Sequence, residues 1–130
     1  MLLPPHVQVA TLTELTHVWR LLRGDLRFAD LVLWLLLLDR AGRPVGLHAL
    51  AGLPDGPYDV RPTEVAALVG ELAGGHRIAA LYGRPGRGPW HIGDRAWTRF
   101  AAEVFPAWPV HRARDGVIEV VRSAGTVSSG

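Results

Sequence analysis

Between Tyr82 and Asp94 the chain gathers most of the side chains that could do chemistry: Tyr82, Arg84, Arg87, Trp90, His91 and Asp94. Arg84 and Arg87 flank Pro85-Gly86, and two guanidinium groups in one loop can hold a phosphate or carboxylate through paired hydrogen bonds. The other role open to Arg84 is internal, as the salt-bridge partner of Asp94, because a buried carboxylate needs one. His91 and Asp94 stand three residues apart, and with His111 they would supply three N/O ligands, enough for a displaced zinc site with water in the fourth position. The structural alternative makes Asp94 the N-cap of the next helix and His111 a strand residue. Trp90 is either a binding anchor, of the type enriched at interface hot spots, or a side chain folded back over the pocket. His48 reads as a half-buried strand residue, and Asp55 sits in a Pro/Gly turn, where Asp is common for backbone reasons.

Other chemistry is set aside by composition. There is no cysteine, hence no disulfide, thiol nucleophile or cysteine-based zinc site. The only serines are Ser123, Ser128 and Ser129, in a small polar tail where no triad could be held in geometry. The loop lacks the G-x-x-x-x-G-K pattern of a nucleotide cradle. Every basic residue is Arg, the formal charge is +2, and the Arg residues are scattered rather than clustered, which argues against nucleic acid as a partner. No cofactor is expected.

The elements that must position these residues follow from pattern. At 130 residues the chain makes one domain with a single core. Its expected organisation is an extension over 1–8, a domain over 9–122 and a flexible tail over 123–130. Thr11-Leu12-Thr13-Glu14 reads as a capping box, followed by Leu15, Val18, Trp19 and Leu22 at helical spacing, with Gly24 as the stop. The apolar run 31–38 suits a central strand covered on both faces; it is too short to span a bilayer, which needs roughly 20 apolar residues. A turn at Asp39–Arg43 leads into a returning strand, Pro44–Leu50. Pro62 opens a second helix with Val65, Leu68, Val69 and Leu72 as its buried stripe, ended by Gly74-Gly75. Strand 77–81 runs into the loop, a third helix starts near Asp94 with Ala96, Trp97, Phe100, Ala101 and Val104 inward, and 108–111 and 117–121 make a closing pair of strands. Trp19, Trp34 and Trp97 are expected in the core. This is an α/β (α+β) domain, a mixed sheet flanked by helices.

Leu37-Leu38-Asp39-Arg40-Ala41-Gly42-Arg43-Pro44-Val45-Gly46, Val60-Arg61-Pro62-Thr63-Glu64-Val65, Leu81 through Gly86, Asp94-Arg95-Ala96-Trp97-Thr98, and Val110-His111 with Asp115-Gly116 resemble, in order and spacing, the hairpin, helix-start, metal-loop, final-Asp and closing segments of a RadC-type JAB/MPN (JAMM) domain. The resemblance covers roughly Val9 to Val121. It implies zinc-dependent hydrolysis of isopeptide or related bonds, with two His and an Asp on the metal, an assisting Ser and a water-activating Glu. By position, the two His places of the family fall on Tyr82 and Arg84, the Ser place on His91 or Ile92, and no Glu lies between Gly46 and Pro57. Tyr is a poor zinc ligand, and a guanidinium has no lone pair to give. Asp94 alone carries over.

The expectation is therefore a metal-free, non-catalytic relative from a bacterial source, serving as a protein-interaction or scaffolding module, with Tyr82, Arg84, Arg87, Trp90, His91 and Asp94 at the binding loop. A homodimer through an exposed hairpin edge is a further possibility. The alternatives are a divergent metal-dependent hydrolase built on His91, Asp94 and His111, and a nucleic-acid-associated module. The start Met1–His6 lacks the basic and long apolar parts of a signal peptide, so a cytoplasmic place is expected.

Overall fold

The capping box at Thr11 forms as the sequence implies: the Thr11 amide donates to Glu14 Oε1 at 3.0 Å, and the Glu14 amide donates to Thr11 Oγ1 at 3.2 Å. In the computed structural model, residues 7–22, 30–86 and 88–121 are described, Leu72 by its backbone only. Gly24, Arg87, Met1–His6 and the tail 123–130 lie outside the described residues.

The order is α1 (Leu12–Leu22), β1 (Val32–Leu38), β2 (Pro44–Ala51), α2 (Pro62–Ala73), β3 (Arg77–Gly83), α3 (Ile92–Val104), β4 (His111–Arg114) and β5 (Val117–Val120). The strands form one mixed sheet, β2-β1-β3-β4-β5, in which only β3 and β4 run parallel. The domain is a single small α+β unit. Among its described residues no helix is long and apolar enough to cross a membrane.

Strand alternation splits the core in two. Leu33, Leu35, Leu37, Ile78, Ala80 and Tyr82 face the layer of α2 and α3, where Trp97, Phe100, Ala101 and Val104 close over them. Leu36, Leu38, Ala79 and Leu81 face α1 and its stripe Leu15, Val18, Trp19 and Leu22. The 31–38 run is therefore a central strand packed on both faces. Asp39 Oδ1 accepts the Ala41 and Arg43 amides and sets the β1–β2 turn. Gly42 is required in that turn: its φ is +83°, and a Cβ there would strike the Val9 carbonyl.

One burial and three boundaries differ from expectation. Leu68 is 65% exposed, because the inward row of α2 is Val65, Val69 and Ala73, and Leu68 sits about 100° round the helix from Val69. The third helix begins at Ile92, with His91 as N-cap and Asp94 at the third helical position. Tyr82 and Gly83 belong to β3 rather than to the loop, held by pairing with Leu33 and Val32. The fourth strand starts at His111 rather than at Trp108; Pro109 has no N–H to give a ladder. Trp19 and Trp97 are buried as expected, whereas Trp34 and Trp108 are only partly covered, against the α1 layer.

Candidate functional site

β3 and β4 are parallel, and their carboxyl ends, Gly83 and Arg114, lie side by side, with residues 84–86 and 88–91 standing between β3 and α3 in the chain. The crevice beyond the carboxyl ends of parallel strands is where open α/β sheets place their sites. Here it holds a hydrogen-bonded cluster centred on Asp94. Tyr82, with no accessible surface, donates its hydroxyl to Asp94 Oδ1 at 2.6 Å. Arg84 Nη1 donates to Asp94 Oδ2 at 2.8 Å and to the Pro89 carbonyl at 3.2 Å. The His91 amide donates to Oδ2 at 2.7 Å, the N-terminal half of a capping box. Both carboxylate oxygens are thus engaged, and the Arg84 and Asp94 side chains are 17% and 5% exposed.

The electrostatics follow from that geometry. Burial raises the tyrosine pKa, and the Asp94 hydrogen bond and charge add to it, so Tyr82 stays a neutral donor. For Asp94, burial pulls upward, but the His91 amide, the Tyr82 hydroxyl and Arg84 together hold it below the ordinary carboxylate value. Asp94 is held as a carboxylate by three protein donors. It is a poor candidate for proton transfer, since a general base works best with a pKa near the operating pH.

A second layer covers the first. Trp90 is half-buried; its ring lies 4.5 Å from the Arg112 guanidinium carbon and 5.0 Å from that of Arg114, within cation–π range. Its indole N–H donates to Glu119 Oε1 at 3.2 Å, the same oxygen that accepts from Arg112 Nε at 2.8 Å. Arg114 in turn donates to the Gly88 carbonyl. Trp90 is folded back against the core layer of α3 and onto Arg112 and Arg114, and does not project as a free anchor. Arg112, Arg114 and Glu119 were missed from sequence. Their signal was there: Arg112 and Arg114 alternate on one face of a strand, and Glu119 stands directly across the turn from Arg112.

His111 is not part of this site. It pairs opposite Leu81 in β4, on the α1 side of the sheet, while Arg112 pairs opposite Tyr82. Its ring is fully buried beside Trp19, and Nε2 lies 2.7 Å from Thr16 Oγ1. The sheet therefore separates His111 from His91 and Asp94, and among the described residues no three His, Cys, Asp or Glu groups could together hold a metal ion. His48 is exposed on β2. The depression of about 440 Å³ between α2 and α3, lined by Val69, Ala73, Ile78, Val104 and Phe105, opens at the other end of β3.

The loop 52–57 braces the start of α3. Trp97 Nε1 donates to the Pro54 carbonyl at 2.8 Å, and Gly93 lies so close that a Cβ would collide with the Asp55 carbonyl. Gly93→Ala is expected to cost about 1–3 kcal/mol by forcing this backbone apart, read as a lower urea midpoint. An unchanged midpoint would mean the loop does not rest on α3. No protein-family model and no curated protein matches this sequence.

Proposed function

We propose that this chain is a non-catalytic JAB/RadC-like domain that works in the cytoplasm as a protein-interaction module. The observation that carries this reading is the Arg84–Asp94 pair. A fixed guanidinium stands on the one carboxylate that the resemblance would assign to a metal, and Tyr82 and the His91 amide donate to the same carboxylate, so both its oxygens are engaged. A cation held there repels a second cation, and a catalytic zinc site needs three donors and an open position.

The cluster then serves to shape the loop rather than to react. Tyr82, Arg84 and Asp94 brace it from within, and what it shows to solvent is Pro85, Pro89, His91, Arg95 and Ile92, the last 82% exposed. An isoleucine held out at the first turn of a helix gives this surface an apolar group to offer a partner. A photo-crosslinking residue placed at Ile92 in the source cells tests this, with the exposed Ala41, at the far end of the sheet, as control. One discrete protein adduct at Ile92 and none at Ala41 is expected. Equal labelling at both positions, or no adduct at Ile92, would contradict the assignment.

A further inference from the structure

The opposite side of the domain carries a different surface. Among the described residues β2 is an outermost strand, bonded only to β1, and His48 to Ala51 are all exposed. An edge strand presents a row of unpaired backbone N–H and C=O groups, which proteins protect by charge, proline, bulges or a short edge. β2 is eight residues long, carries no Asp, Glu, Lys or Arg, and has its proline and its one irregularity of register confined to the Pro44 end. The other edge, β5, is four residues long and carries Glu119. Among the described residues the unprotected edge is β2.

The helix above this half of the sheet has matching features. α2 joins β2 to β3 and so crosses over β1. Arg61, at its N-cap, and Glu64, Leu68 and Glu71 are spaced three, four and three residues apart, which aligns them along one stripe. All four are exposed. The stripe carries Arg61 and Glu64 at its amino end, Leu68 midway and Glu71 toward its carboxyl end, where no basic residue stands. Arg61 and Glu64 approach only to 4.0 Å, both open to solvent, a contact of small worth.

We infer that this side is the contact of a two-fold symmetric homodimer, with β2 paired antiparallel to β2 of a second copy and the two α2 helices lying antiparallel beside each other. A two-fold axis perpendicular to the sheet reverses both elements at once and makes the interface isologous. The strand then meets itself without juxtaposing like charges. The antiparallel helices bring Arg61 toward the partner's Glu71, and the reverse, with Leu68 between the two ends. Exposed Val45 and Leu50 are covered by the same step. A stable dimer needs about 800 Å² per partner, more than one edge strand supplies, so α2 belongs to the contact. The occupant is a second copy because this surface contains both halves of its own complement.

Sedimentation equilibrium on the full chain tests this. Wild type is expected to dimerise with rising concentration, and Leu68→Glu to raise the dimer Kd by roughly tenfold or more, with folding unchanged because the side chain is exposed. Leu50→Lys acts the same way on the strand. Arg61→Glu weakens the dimer, and adding Glu71→Arg restores it, a rescue that a general loss of stability would not give. A monomer at every concentration overturns the proposal, as does a dimer that Leu68→Glu and the charge exchange leave unchanged.

Discussion

Arg84→Met is expected to lower the stability of the protein by about 3 kcal/mol at neutral pH, the usual cost of leaving one partner of a buried ion pair without the other. The substitution preserves the side-chain stem and removes only the charge and the donors to Asp94 and the Pro89 carbonyl. Asp94 would keep the Tyr82 hydroxyl and the His91 amide, which is why the cost stays well short of burying a bare charge. Adding Asp94→Asn should recover part of the loss, so that the double variant costs less than the two single changes together. The pH dependence has a definite sign. The folded state holds the Asp94 pKa below the ordinary carboxylate value of 3.8, so its contribution is complete above that value and fades as pH falls through the folded pKa. The penalty of Arg84→Met should shrink in strong acid, where protonated Asp94 no longer needs a cation. Urea unfolding at neutral and acid pH measures both; a single-variant loss well under 1 kcal/mol would place Arg84 outside the core network.

His111 should give the protein a second and separate acid response. Burial lowers its pKa from 6.5 to about 4, with a smaller push from Arg20 and an opposing one from the Pro109 carbonyl. The folded state keeps the ring neutral while the unfolded chain takes up a proton. Stability is therefore full above about pH 6.5 and falls as pH drops toward 4, by about 3 kcal/mol if the whole shift is realised. Below that range the His111 slope ends, and the Asp94 loss takes over. Gln at 111 has no titrating ring, so His111→Gln should flatten the melting-temperature profile between pH 6.5 and 4 while leaving the decline in stronger acid. A profile with the same slope in the variant would assign the acid sensitivity elsewhere.

The strand β1 covered on both faces, the stripe of α1 and the stop at Gly74 could be read from the sequence because each is a local pattern: an unbroken apolar run of strand length, period 3.6 in a helix, a Gly-Gly pair after the last helical turn. The Arg84–Asp94 pair was also legible, since a carboxylate at a helix start and an arginine ten residues before it have few other ways to be buried. What could not be read was which side of the sheet a residue takes in a short strand. His111 lies one position from Arg112, and that single step puts it with Thr16 and Trp19 rather than with Asp94. The exposure of Leu68 was hidden for a similar reason. α2 is apolar on more than one side, so periodicity alone names two candidate inner rows, and tertiary packing chooses Val65, Val69 and Ala73. Trp90 needed the final hairpin in place, because the groups that hold it are 22 to 29 residues further along the chain.

Elemental analysis of zinc on untagged protein, after incubation with the metal and gel filtration, tests most directly whether Arg84 has taken a metal's place. The wild-type chain is expected to retain no zinc, with no change on His91→Ala. One zinc per chain, lost on His91→Ala or Asp94→Ala in protein that still folds, would contradict this and return the loop to hydrolytic chemistry.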